Sequence, residues 1–283
     1  MLRQNRIVFL LALVCLQGCS VQKGNNKEVI DYSAEGYQLV WADEFDKDGT
    51  PDIKNWTYEK GFVRNEELQW YQPENAFCKG GMLIIEARKE QRLNPVYVEG
   101  SKDWRKNRKN IEYTSASLIS KGLQSWQYGR FEMRGKINIS AGLWPAFWTL
   151  GERGGWPANG EIDIMEYYNG KILANIARMG ENRKPKWFST TKTVNAAWAK
   201  QFHVWRMDWD SENISLFVDE ELYLKVPLTE LQNEGQPGFH PFKQKHYILF
   251  DLALGGLNGG DLGETKFPNR MEVDYVRVYQ QKR

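Results

Sequence analysis

The chain of 283 residues has little cysteine, little net charge, no apolar run long enough to cross a bilayer and almost no helical periodicity. Each lack narrows the possibilities. With 38 Lys and Arg against 36 Asp and Glu, the net charge of +2 gives no electrostatic footprint for nucleic acid. The apolar run Ile7 to Leu16 is too short to span a membrane. Helical spacing is almost nowhere sustained, with Leu228 to Asn233 reading as about one turn, and no repeat or low-complexity tract appears. What is present is 41% hydrophobic residues and 13% aromatics, including 12 Trp. That is enough to bury one large core, and the aromatics suit either a β-sandwich interior or stacking on carbohydrate rings.

The N-terminus reads as a processing segment. Arg3 and Arg6 precede the apolar run, and Leu16-Gln17-Gly18-Cys19 resembles a bacterial lipobox. Residues 1–18 are thus expected to be a lipoprotein signal peptide, with Cys19 lipidated and residues 19–35 a polar, flexible tether. The domain would span 36–283 and sit on a bacterial envelope membrane, on the periplasmic or outer side, touching the membrane through the lipid alone. Loss of Cys15 and acylation of Cys19 would leave Cys78 single, so no intrachain disulfide is expected. The chain is expected to act as a monomer.

Beyond the tether, short apolar or alternating segments are separated by turn residues. They include Met82 to Ala87, Ser115 to Ser120, Gly129 to Ile137, Phe202 to Trp209, Ile214 to Val218, Tyr247 to Leu254 and Met271 to Tyr279. Asp210-Ser211-Glu212-Asn213 marks a hairpin, and Gly151 to Gly160 reads as a second hairpin loop. The pattern predicts an all-β fold, a two-sheet antiparallel β-sandwich. The segment Leu93 to Asn110, with Lys102, Arg105, Lys106, Arg108 and Lys109, reads as a solvated surface loop.

The densest chemical signal is Glu161-Ile162-Asp163-Ile164-Met165-Glu166. Strand alternation puts Glu161 and Asp163 on one face and Ile162 and Ile164 on the other. Glu166 is out of step by one residue. A β-bulge near Ile164-Met165 would return it to the acidic face. Clustered acids on one sheet face repel each other, a cost that a two-carboxylate reaction would explain. A charged edge strand or a calcium cage would explain it as well. Just upstream, Trp144 and Trp148 share a face at even spacing, as stacking platforms or, for Trp148, as core.

Three runs together resemble glycoside hydrolase family 16, the laminarinase and β-glucanase family. They are Tyr128-Gly129-Arg130-Phe131-Glu132-Met133-Arg134, Leu143-Trp144-Pro145-Ala146-Phe147-Trp148 and Gly160 to Glu166, flanked by Leu39 to Phe45 and Met271 to Tyr279. The resemblance implies a curved jelly roll with a concave substrate cleft and a retaining endo-β-glycosidase that needs no cofactor for catalysis. Glu161 would be the nucleophile, Glu166 the acid/base and Asp163 the acid between them. The resemblance also points to Asn65 and Arg64 as sugar-binding residues, with Trp126, Trp144 and Trp148 as stacking candidates. It implies a structural calcium held by oxygens of Asp274, Glu44 and Gly81, and a buried ion pair at Asp274 is the competing account. Such members act on a β-linked polysaccharide; β-1,3(4)-glucan leads. An endo-β-1,4-galactosidase acting on poly-N-acetyllactosamine or sulfated glycans is the alternative, and a non-catalytic glycan-binding lipoprotein is a further one.

Two departures from the family pattern bear on substrate. Many laminarinases place histidine after the acidic motif, where this chain has Lys171 to Gly180 with Asn175 in the corresponding strand. Many also carry arginine after Thr-Ser-Ala, where Ser117 stands here. Arg178, Arg183, Lys184 and Lys186 form a basic cluster beside Trp187-Phe188. Arg178 is expected to meet an anionic glycan if the cluster lines the cleft, and the cluster is a solvated loop otherwise.

Overall fold

The computed structural model describes residue 27 and residues 29–282. Cys19, the lipobox and most of the tether lie outside the described residues. Two open sheets make the domain. The seven-stranded sheet runs Pro185–Thr193, Lys171–Met179, Glu161–Tyr168, Leu143–Gly151, His246–Leu254, Ser117–Ile119, Thr57–Tyr58. The ten-stranded sheet is built around the long C-terminal strand Asn269–Gln281, which pairs with Tyr37–Asp43, Leu83–Leu93 and Gly129–Lys136. The β-sandwich expected from the sequence is the observed architecture. Among the described residues pairing is antiparallel except between Gln69–Tyr71 and Asn110–Ser115, which run parallel. Among the described residues helix is confined to short turns; Leu228 to Asn233 contributes only a 3₁₀ turn over Leu228–Glu230. Among the described residues no helix is long and apolar enough to cross a membrane.

Alternation explains how the sheets close on each other. Ile162, Ile164, Met165, Phe147, Ile176 and Phe250 of the seven-stranded sheet share one buried cluster with Leu83, Phe131, Met133, Trp205, Met207, Val276 and Val278 of the ten-stranded sheet. Residues one step away on the seven-stranded sheet therefore point to its other, open face. A smaller cluster of Ala146, Trp148, Tyr247 and Leu249 lies there.

Both expected hairpins form. Asp210 accepts backbone hydrogen bonds from Glu212 and Asn213, each at 2.7 Å, and closes the first. The loop after Gly151 is pinned by Gln244, which accepts from Arg153 N at 2.8 Å and donates to Arg153 O and Asn159 O. The reading of Leu93 to Asn110 as merely solvated needs correction. Lys102, Lys106 and Lys109 are exposed, but Arg105 donates to Val63 O, and Arg108 donates to Glu66 O and Glu67 O. Arg108 also lies over Phe62 and Trp104. The loop thus braces the segment that carries Arg64 and Asn65.

Candidate active site

The expected bulge is present. Against Lys171–Met179, Asp163 pairs with Asn175 and Glu166 with Leu173, so the acidic strand has one residue more than its partner over that interval. The other neighbour agrees, with Asp163 opposite Trp148 and Met165 opposite Phe147. Ile164 and Met165 are both buried in the core, and Glu166 returns to the face of Glu161 and Asp163. Gly160 sets the entry to this strand at φ +78, and a Cβ there would meet Pro241 and Phe242 within 3 Å, so only glycine fits.

Cross-strand register lays out the open face as rows. Trp187, Ala177 and Glu161 stand in line; then Ser189, Asn175, Asp163, Trp148 and Leu249; then Glu166, Ala146, Asp251 and Ser117. Side-chain contacts confirm this facing. Asn175 Nδ2 donates to Asp163 Oδ2 at 3.1 Å and to Glu166 Oε2 at 2.6 Å. Trp144 Nε1 donates to Glu166 Oε1 at 2.6 Å. Trp156 Nε1 donates to Glu161 Oε2 at 2.7 Å, and Asp163 is hydrogen-bonded to Glu161. Trp148 Nε1 donates to Asp251 Oδ1 at 2.7 Å, with the Arg64 guanidinium 5.1 Å above its ring. Arg64 is held by Glu59 and approaches Asp251 at 4.0 Å. Beside it, Asn65 Nδ2 donates to Glu67 Oε1 at 3.2 Å.

The electrostatics follow from crowding four carboxyl groups on a half-dry face. Desolvation raises all of them. Glu161 is pushed up to about 7, moderated by the Trp156 N–H and the Arg64 charge. Glu166 rises to about 8, moderated by Trp144 and raised further by Glu161. Asp163 is pushed well above its ordinary value, through burial and then the charges of Glu161 and Glu166. Asp251 reaches about 6, burial outweighing Arg64. Of the two glutamates, Glu161 is thereby the readier to ionise. Asp163 keeps its proton and donates it in a hydrogen bond, and Glu166 remains an acid near neutrality. One ionised carboxylate beside one proton-bearing carboxyl is the division of labour a retaining glycosidase requires.

The family model for glycosyl hydrolases family 16 matches residues 66–277. The chain belongs to that family. It is a glycoside hydrolase. A β-glucanase from Rhodothermus marinus is 38% identical over 301 residues, spanning 97% of this chain and 94% of that protein. The solved laminarinase of the same organism superposes with a TM-score of 0.71 at 37% identity, over 87% of this chain and 98% of its own. A structure from work on endo-acting O-glycanases of the human gut microbiota, which initiate mucin breakdown, gives 0.80 at 31% identity, over 87% of this chain and 92% of its own.

For this family 16 enzyme, Glu161, Asp163, Glu166, Asn175, Trp144, Trp148, Arg64 and Asn65 come together on one side of one sheet. Two residues expected there do not. Trp126 lies in the interior, packed against Trp41 and Phe131, because its segment bridges to His246 at the sandwich edge. Arg178 is one step out of phase with Asn175 and turns away from the open face. There it donates to Glu230 O, Met179 O and Glu234 Oε1 at 2.9–3.0 Å. Lys186 also leans on Glu234 at 3.8 Å, whereas Arg183 and Lys184 are exposed.

Three site residues escaped the sequence reading. Asp251 sits in an apolar strand that gave no sign of chemistry. Trp156 lies in a loop read only as a connection, yet it reaches Glu161 with half its surface exposed. Trp187 was noted only as a neighbour of the basic residues, and the register places it on the open face in line with Glu161. Trp156 also borders a cavity of about 640 Å³ shared with Met179, Arg183, Gln236 and Phe239.

The oxygens expected to hold calcium converge as well, far from these acids, on the outer side of the ten-stranded sheet. They do so through main-chain carbonyls. Those of Glu44, Gly81 and Asp274 all face Lys27 Nζ. The Glu44 carboxylate instead engages Arg277, and that of Asp274 engages Arg134 at 2.6 Å, so the ion pair expected as the competing account is present too. An all-oxygen set of this kind suits a hard cation. Among the described residues no group of three or more His, Cys, Asp or Glu side chains could hold a metal ion.

Proposed function

We propose that this enzyme is a retaining endo-β-1,3(4)-glucanase, acting on laminarin-type or mixed-linkage β-glucan. The observation that carries the mechanism is the split environment of the two glutamates. Glu161, favoured as the anion by the Trp156 N–H and Arg64, attacks the anomeric carbon. The glycosidic bond breaks as Glu166 delivers its proton to the departing oxygen, leaving a covalent glycosyl-enzyme. Glu166, now ionised, takes a proton from water, whose oxygen displaces Glu161 and restores the starting configuration. Asp163 steadies Glu161 by hydrogen bond. Asn175 and Trp144 hold the two oxygens of Glu166 in place. Exposed Trp156 and Trp187 offer faces on which sugar rings stack. The glucan assignment rests on the identity to the Rhodothermus β-glucanase over nearly the full length of both chains.

A second reading, an endo-β-galactosidase of host-type glycans, draws support from the likeness to the mucin-active O-glycanase structure and from Asn175 standing where many laminarinases have histidine. A non-catalytic binder is disfavoured by the cost of keeping three neighbouring acids, two of them buried, without using them. Incubation with laminarin, mixed-linkage glucan, poly-N-acetyllactosamine and a sulfated galactan, followed by product sizing, separates these readings. Short oligosaccharides from the glucans alone are expected; release from the galactans alone would replace glucan as substrate. The lipobox-like Leu16 to Cys19 supports a lipid-anchored enzyme of the bacterial envelope. A Cys19→Ala variant should lose acyl label and move to the soluble fraction. Unmutated protein found wholly soluble would refute anchoring.

A further inference from the structure

The oxygen cage on the outer side of the ten-stranded sheet is filled from within the chain. Lys27 Nζ lies 2.5 Å from Glu44 O and 2.6 Å from Gly81 O, and it also donates to Asp274 O. An ammonium has three N–H donors, and here three carbonyls receive them. The carboxylates of Asp274 and Asp46 stand further off, at 3.2 and 3.8 Å. The Lys27 side chain is only 9% exposed. A lysine is rarely buried this deeply without being paired.

Charge bookkeeping decides which cation the cage suits. Glu44 is neutralised by Arg277, and one oxygen of Asp274 is taken by Arg134. Asp46 and Asp274 together contribute two negative charges, and Arg134 returns one positive, leaving one negative charge at the cage. A monovalent ammonium balances that charge. A divalent ion would leave an excess positive charge unless Arg134 moved away. Calcium also needs six to eight oxygens, and the three carbonyls with one Asp274 oxygen leave the rest to water.

We propose that Lys27 is the resident cation of this cage, doing the structural work of a bound metal ion, and that removing it uncovers a calcium site. The ammonium ties three separate pieces of the outer sheet to position 27: the turn after Tyr37–Asp43, the turn at Gly81 and the bulge at Asp274. Position 27 is thereby fastened to the face opposite the acids.

Thermal unfolding and calcium calorimetry of the full chain test this with Lys27→Ala and Lys27→Gln. The unmutated enzyme should show the same Tm in EDTA and in millimolar calcium, and no calorimetric binding. Both variants should unfold earlier by roughly 3 °C, the scale of one lost charge-assisted contact set in a domain of this size. Calcium should recover most of that loss, with one ion bound per chain. Calcium binding or a calcium-dependent Tm in the unmutated enzyme would overturn the proposal. So would variants with unchanged Tm, or a lost Tm that calcium leaves unrestored. Activity is not the readout, so failure here says nothing against the glycosidase reading.

Discussion

At the residue scale, catalysis turns on unequal carboxyl groups. Glu161→Gln should abolish turnover of every substrate, by on the order of 10⁴ or more in kcat, because no nucleophile remains. Glu166→Ala should instead lose about 10²–10⁴ on polysaccharide yet retain activity on aryl glycosides whose leaving group needs no proton, and added azide should yield a glycosyl azide. Equal loss on both substrate types would remove the acid/base assignment. Asn175 makes a finer test. Its amide stabilises ionised Glu166, so Asn175→Ala should raise the Glu166 pKa and move the alkaline limb of kcat/KM above its expected position near pH 8. A limb that stays or moves acidward would contradict the role given to Asn175. The glutamates and Asp163 were legible in the sequence because the acids interrupt an apolar strand. Asp251, Trp156 and Trp187 were not, since one isolated acid or tryptophan resembles many others until register puts it beside a carboxylate.

At the scale of elements, the bulge was readable from the one-residue slip of Glu166 relative to Glu161 and Asp163. Arg178 was not, because alternation could not be carried through the Asn169-Gly170 turn to fix its facing. Counting back from the register to Asn175 settles it: Arg178 is one step off and reaches Glu230, Met179 and Glu234. Arg178→Ala should therefore leave the relative rates on neutral and sulfated substrates unchanged while lowering stability by about 2 kcal/mol, since the buried Met179 carbonyl and the Glu230 carbonyl lose their donor. Chemical denaturation and paired rate assays check both halves, and a selective loss on sulfated substrate would return Arg178 to the binding face. Trp126 misled for a related reason. Tryptophan suits a sandwich core as well as a sugar platform, and its choice was made by packing against Trp41 and Phe131, which is a tertiary fact.

For the whole molecule, the two-sheet sandwich follows from alternation and turn chemistry, whereas the strand order and the parallel pairing at Gln69–Tyr71 depend on long-range meetings that local pattern does not encode. Folding also loads the open face with protons. Glu161 and Glu166 have ordinary values of 4.5 and rise to about 7 and about 8, so in this window the folded state binds more protons than the unfolded state. Their contribution is full below the unfolded value and is lost as pH climbs through the folded values. Tm should therefore fall as pH goes from about 5 to about 8.5, and Glu166→Gln, which cannot ionise, should flatten that decline. A Tm that rises across this window would contradict the burial of these acids. The claim on which everything else depends is that Glu161 attacks from the face opposite the leaving group and that water later displaces it with a second inversion. Proton NMR of the first products from a β-linked substrate, recorded before mutarotation, reads this directly: the account predicts the β-anomer first, and initial appearance of the α-anomer would contradict it.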